Sequence, residues 1–340
     1  METSGNGKVE KLTKTLQKFL DGNPAILIGS GCSVPYGLPT MGILAEELRA
    51  KLSTKHGAQK SWIAFINELN ESDNLEKALE KINLEDEIQR DIIWTVWQTI
   101  YERDVAAKVR FLRDNQQPAI TKLLNKFIQR STSTNIITTN YDRLVEYGAS
   151  FSDAKCCTGF NEGYIRKFKQ FEPLTAKRTV NVYKVHGSID WFKHKETNSL
   201  YSLPFFDTSL EESFLPQIVT PGNRKYQQTH YDPFRTVMAK ADEALRSSSA
   251  YLCVGYGFND EHIQPIIIDE NRSKKKPIVV VTKDVTPRTK ELFCKGTIDN
   301  CLIISHNSIG GSTVCFLANQ NEYYESDYWK LDEFYNLWFE

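Results

Sequence analysis

Four short motifs hold the residue types that could do chemistry, and each follows an apolar run. The first is Gly29-Ser30-Gly31-Cys32-Ser33. Glycines at a strand exit let backbone N–H groups approach a diphosphate closely. Val34 stands where the dinucleotide fingerprint has its third glycine, so the fragment also suits a plain tight turn. The second motif is Thr138-Thr139-Asn140-Tyr141-Asp142. A carboxamide there can orient water or a ribose hydroxyl, and a carboxylate can accept from a carboxamide N–H. Asn and Asp are equally suited to capping a helix that starts near Tyr141. The third is His186-Gly187. Imidazole, with an ordinary pKa of ~6.5, suits proton transfer near neutral pH, although a lone histidine also serves as a satisfied polar group. The fourth is VGYGFND over residues 254–260. Gly255 and Gly257 permit close approach to a ribose or phosphate, and Asn259 or Asp260 can cap the next helix.

The pattern between the motifs predicts the elements that must position them. Leu12, Leu16, Phe19 and Leu20 recur at helical spacing. Residues 25–29 read as a buried strand and tight turn. Over residues 43–130 every signal is helical: Ile88, Ile92, Val96 and Ile100 step by four, and Leu123, Leu124, Phe127 and Ile128 mark a further helix. This stretch reads as a helical module inserted between two strands. Strands are expected over 135–139, 180–185, 251–255, 277–281, 301–305 and 314–318, with helices over 233–246, 260–270 and 287–294. The expectation is an α/β fold: one domain over 1–340, built on a doubly wound, Rossmann-like parallel sheet with helices on both faces. Ligands bind such sheets beyond the carboxyl ends of the strands, so all four motifs would meet on one edge.

Composition narrows the class. The chain has 340 residues, 40% of them hydrophobic, enough to bury a full core without disulfides or metal. A net charge of -1 leaves no footprint for broad nucleic-acid or membrane binding. Most of the 7 cysteines sit in apolar or glycine-rich runs and no CxxC pair exists, which argues for free thiols in a reducing, cytoplasmic setting and against a zinc ribbon. The N-terminus has no apolar signal core.

Taken in order, the motifs resemble the sirtuin superfamily. Gly29-Ser30-Gly31-Cys32-Ser33, three further residues and then Gly37-Leu38-Pro39 are similar to the sirtuin phosphate loop and its Gly-Ile-Pro. Thr138-Thr139-Asn140-Tyr141-Asp142 resembles Thr-Gln-Asn-x-Asp, His186-Gly187 resembles the catalytic His-Gly, and Gly255-Tyr256-Gly257 falls where the family has Gly-Thr-Ser. Two departures stand out. Thr40-Met41-Gly42 replaces the Asp-Phe-Arg of deacylases, and their four-cysteine zinc ribbon is missing. The closer resemblance is to the zinc-free, sirtuin-like branch of bacterial anti-phage systems, whose members hydrolyse NAD and so deplete it in infected cells.

That resemblance implies an NAD hydrolase with NAD as substrate, no zinc, and abortive infection as its setting. It implies pyrophosphate on Gly29, Ser30, Gly31, Cys32 and Ser33, with Pro39 and Thr138 also in the NAD site. Adenosine would lie against Gly255, Tyr256 and Gly257, with Thr282 or Asp284 beside its ribose. Asp142 would hold the nicotinamide carboxamide, Asn140 the ribose and attacking water, and His186 would be the general base. Members of the branch work with partners such as a hexameric DNA-translocating ATPase or an Argonaute-type protein. The length leaves no room for a large fused sensor, which implies a separate partner or activation by homo-oligomeric assembly. Two other readings stay open: an NAD-dependent protein deacylase, and a non-catalytic scaffold that binds NAD or ADP-ribose. At the C-terminus, Leu331, Phe334, Leu337 and Trp338 share helical spacing within an amphipathic segment over 328–340. It suits either a helix packed on its own core or a docking element.

Overall fold

A computed structural model describes residues 2–130, 133–220, 231–260, 262–294, 300–316 and 320–339. An N-terminal helix, α1 (Glu2–Phe19), leads into the central strand β1 (Ala25–Ile28). Five helices follow: α2 (Met41–His56), α3 (Lys60–Ser72), α4 (Leu75–Lys81), α5 (Asp86–Arg113) and α6 (Ile120–Arg130). This is the expected helical run. Thr40 starts it, its hydroxyl accepting from the Ile43 N–H at 3.4 Å.

The chain then returns to the sheet through β2 (Ser133–Thr138), α7 (Leu144–Phe151), β3 (Lys155–Cys157), the short β4 (Arg166–Lys167) and β5 (Thr179–Lys184). Next come β6 (Gly187–His194), β7 (Leu200–Ser202), β8 (Phe214–Ile218), α8 (Phe234–Ser247), β9 (Tyr251–Val254) and α9 (Ile263–Lys274). The last elements are β10 (Ile278–Thr282), α10 (Pro287–Cys294), β11 (Cys301–His306), β12 (Ser312–Phe316), β13 (Gln320–Tyr324) and α11 (Leu331–Phe339). Residues 317–318 of the expected last strand, and Glu340 of the C-terminal segment, lie outside the described residues.

The main sheet has nine strands in the order β13-β12-β11-β10-β9-β1-β2-β5-β3. From β11 to β3 all pairings are parallel, whereas β12 and β13 run antiparallel at one edge. The expected doubly wound parallel sheet is present, with an antiparallel pair added at that edge: β11 returns through a tight connection containing Gly310 and Gly311, both at positive φ, and so short a link permits only antiparallel pairing.

Successive side chains of a strand point to opposite faces, and the core divides accordingly. Ile26, Ile28, Ile136, Val182, Leu252 and Val279 face α1 and the helical run, in one continuous cluster with Leu48, Trp62, Ile92 and Ile100. Leu27, Ile137, Tyr183, Cys253 and Val280 face the other way, against Val237 and Leu245 of α8 and Ile267 of α9. The inserted helices thus share the sheet's own core. A second, antiparallel sheet of order β4-β7-β6-β8 was not expected from the sequence. Among the described residues, no helix is long and apolar enough to cross a membrane.

Candidate active site

The central strand β1 lies between β2 and β9, with Ile28 level with both Thr138 and Val254. Thr138 in turn pairs with Lys184 of β5, and Val254 with Val281 of β10. The carboxyl ends of five parallel strands are therefore aligned. All four motifs emerge there and line one cleft of about 730 Å³, within the ~300–1,000 Å³ usual for small-molecule sites. Gly29, Ser30, Gly31, Ser33, Pro39, Asn140, Asp142, His186, Gly255, Tyr256, Gly257, Thr282 and Asp284 all contribute to its wall.

Two expected residues do not. Cys32 packs into the apolar core, and Thr138 is 2% exposed, with Thr139 lining the cleft in its stead. The Thr138 hydroxyl donates to the Ile28 carbonyl at 2.9 Å and accepts from the Asn140 N–H at 3.1 Å, so it ties β1 to β2. Burial, with the Asp142 charge adding to it, pushes the Cys32 thiol up to about 12. A thiol so placed is a poor nucleophile.

The glycines of the first motif answer a need other than the expected one. A Cβ on Gly29 would lie 2.3 Å from the Gly255 carbonyl oxygen, and a Cβ on Gly255, at φ +58°, would lie 2.3 Å from the Cys32 nitrogen. The two turns are in backbone contact. The N–H groups of Gly29, Gly31, Cys32 and Ser33 all donate inside this pair of turns, to Val254, Gly255, Gly29 and Ser30. Ser33 is 1% exposed. Its hydroxyl accepts from Asn140 Nδ2 at 3.1 Å and hydrogen-bonds the Asp142 carboxyl. Ser33 therefore joins Asn140 to Asp142.

The Asn140–Asp142 loop is held on every side. The Tyr141 hydroxyl donates to the Val219 carbonyl at 2.7 Å, and the Tyr141 carbonyl accepts from the Ile189 N–H at 3.0 Å. Lys184, fully buried, donates through Nζ to the Asp142 carbonyl and pairs with Glu146 at 3.0 Å. Burial alone would lower the Lys184 pKa. The carboxylates of Glu146, Asp142 and Asp190 outweigh it and hold the ammonium charged. Arg143 makes a buried ion pair with Asp104 of α5 at 2.6 Å, and its backbone N–H donates to the other Asp104 oxygen at 2.8 Å. Burial raises the Asp142 carboxyl above its ordinary range, and Asp104 adds to this. Lys184, the Leu144 N–H and Ser33 act against it. Asp142 Oδ1 accepts from the Leu144 N–H at 3.1 Å, so this carboxyl satisfies the first amide of α7 as well as facing the cleft.

His186 follows β5 directly. Its carbonyl accepts from the Val219 N–H at 2.8 Å. Gly187, at φ +85°, lets β8 approach so closely that a Cβ would lie 2.0 Å from the Gln217 carbonyl oxygen. The glycine of His-Gly is thus a close-packing requirement that fixes the backbone beside the imidazole. His186 Nε2 lies 2.8 Å from Asp260 Oδ2.

Sequence reasoning missed several contributors. Glu76 of α4, Ile100 of α5 and Trp329 also line the cleft, brought in by tertiary packing that no local pattern announces. Asp104 and Arg143 carry no local signal either. Lys184 did: a lysine inside the apolar run VNVYKV is a buried charge that must find partners.

Residues 134–296 match the family described as SIR2-like domain. The matched span begins after β1, yet β1 pairs with β2 and β9 inside it, so the Gly29–Ser33 turn is structurally part of the same unit. No curated protein matches the chain. Among solved structures, it is similar to a Sir2 homologue in complex with NAD, at 16% identity and TM-score 0.45, covering 86% of this chain and 87% of that one. It is also similar to a mutant Sir2 homologue in complex with 2'-O-acetyl ADP ribose, at 15% identity and TM-score 0.48, covering 97% and 96%. A third is Sir2Tm bound to a propionylated peptide, at 14% identity and TM-score 0.44, covering 82% and 88%.

Proposed function

We propose that this chain is an NAD glycohydrolase that transfers the ADP-ribosyl group to water and releases nicotinamide. The reading rests on one observation: Asn140, Asp142 and His186 line the same cleft as the two glycine turns. NAD would lie across the carboxyl edge of the sheet. Asp142 would hold the nicotinamide carboxamide, while Asn140, fixed through Ser33, would orient the nicotinamide ribose and a water. The C–N bond breaks with its electron pair leaving on nicotinamide, which neutralises the ring. Water then bonds to the ribose carbon and gives its proton to His186. Little covalent help is needed, because the leaving group starts as a cation. The site's work is placing water and stabilising a positively charged sugar.

Water is favoured over acyl-lysine as acceptor because Thr40, where deacylases carry the first residue of their substrate loop, here caps α2. We place the chain in the zinc-free anti-phage branch, acting in the cytoplasm as a homo-oligomer with a separate partner such as a hexameric DNA-translocating ATPase. The support is the motif order and the absence of any CxxC pair in the sequence. The test is nicotinamide release from NAD by the purified full chain, with and without acetyl-peptide, across its oligomeric fractions. Release without peptide is expected, and His186→Ala or Asn140→Ala should lower it ~100- to 10,000-fold. Release that requires peptide would instead establish a deacylase, and tight NAD binding without turnover would establish a scaffold.

A further inference from the structure

We infer that Asp260 is the positioning residue that decides which nitrogen of His186 meets the substrate: its carboxylate holds Nε2–H and leaves Nδ1 as the basic nitrogen. The inference rests on the general-base reading of His186 above.

The two groups are in close ion-pair contact, without the alignment of a formed hydrogen bond, so charge and proximity couple them. Asp260 Oδ2 lies 2.8 Å from His186 Nε2, and both side chains are largely buried, at 4% and 14% exposure. The other oxygen, Oδ1, accepts from the backbone N–H groups of His262 and Ile263, both at 2.9 Å. These lie at the start of α9, so the carboxylate is clamped by a helix N-terminus, which also favours its ionised form. An ionised carboxylate only accepts hydrogen bonds, and a neutral imidazole carries a single N–H. The ring nitrogen facing Asp260 must therefore be the protonated one, and the lone pair sits on Nδ1. The backbone that carries the ring is held on either side, by the Val219 N–H and by the close approach at Gly187. When His186 takes a proton from water, the imidazolium forms beside a carboxylate already in place.

The decisive variant is Asp260→Asn. A carboxamide has one acceptor oxygen, and the two α9 amides claim it. Its NH₂ then faces His186 Nε2 and can only donate, so Nε2 must become the acceptor and the proton must move to Nδ1. The helix cap survives, which separates this effect from loss of the fold. Asp260→Ala would remove the cap as well and serves only as a comparison.

The tautomer can be read without NAD, by long-range ¹⁵N–¹H correlation on the full chain labelled at histidine, with the His186 signals identified by their loss in His186→Gln. We expect Nε2–H in the unsubstituted protein and Nδ1–H in Asp260→Asn. The same variant should lose about 100- to 10,000-fold in kcat for nicotinamide release, with KM changed only a few-fold. An Nδ1–H tautomer in the unsubstituted protein, or no change of tautomer in Asp260→Asn, overturns the inference. So does a change of tautomer that leaves kcat intact. Failure of the hydrolase reading would look different: the tautomers would behave as described, while His186→Ala released nicotinamide normally.

Discussion

Asp142 sets burial against function within one side chain. Its carboxyl is raised above the ordinary 3.8, chiefly by burial, in spite of Lys184 beside it. The unfolded chain therefore gives up this proton at lower pH than the folded chain does. The resulting stability is fully present below the unfolded value and is lost as pH rises through the folded one. Near neutral pH the ionised group works against folding. Asp142→Asn keeps an acceptor for the Leu144 N–H and removes the charge. We expect its urea midpoint at pH 7 to exceed that of the unsubstituted protein, while nicotinamide release falls. An equal or lower midpoint would mean that Lys184 and Ser33 fully compensate the burial. Asn140, Asp142 and His186 were legible in the sequence because each stands at the end of an apolar run, where a parallel sheet collects polar residues. The contact between His186 and Asp260 was not. It joins two motifs that only the folding of β5 beside β2, and β9 beside β1, brings together, and Asp260 carried a sufficient local explanation as a helix cap.

The elements divide in the same way. Strands buried on both faces, such as β9, β10 and β11, announce themselves as short apolar runs, and their sequence boundaries shift by only a residue or two in the structure. The second sheet did not. In β6, Ile189, Trp191 and Phe192 are buried together with Ser188, so neither clean alternation nor an apolar run appears. What joins that sheet to the rest is α5. Its Trp97 indole donates to the Ile189 carbonyl at 2.7 Å and packs edge-on to Phe206. Two turns further along, Asp104 holds Arg143 and thereby the residue next to Asp142. Removing one partner of a buried pair leaves the other charge uncompensated, at a cost of ~3–5 kcal/mol. Asp104→Ala should lose stability on that order in denaturant unfolding and should also reduce nicotinamide release, because the Asn140–Asp142 loop is freed at one end. Adding Arg143→Ala should recover part of the stability and little of the activity. If the two single losses simply add, the pair is not the anchor described here.

At the scale of the whole molecule, the two chain ends close on one another. The apolar stripe of the C-terminal segment could have served a partner. In the structure Phe334, Leu337 and Trp338 are all buried, against Phe127 of α6 and beside α1, whose Thr13 hydroxyl donates to the Leu337 carbonyl at 3.0 Å. The stripe is therefore already occupied by this chain's own core. It also bears on the site. Trp329, immediately before α11, forms part of the cleft wall, with its backbone N–H on the Ser312 hydroxyl at 3.3 Å and its ring edge-on to His306. Loss of α11 would leave Trp329 tethered from one side only. Truncating a buried Trp costs ~3–5 kcal/mol, so Trp338→Ala should lower the unfolding midpoint by that order. Deleting residues 330–340 should do so more severely and should weaken NAD binding through Trp329. Solution mass measured on the folded fraction separates this from docking. A packed helix predicts lost stability with the assembly of the remaining folded protein unchanged, whereas a docking helix predicts smaller assemblies with stability intact. The burial of Trp338 and Phe334 favours the first outcome, and leaves the exposed surfaces of the other helices as the places to seek a protomer contact.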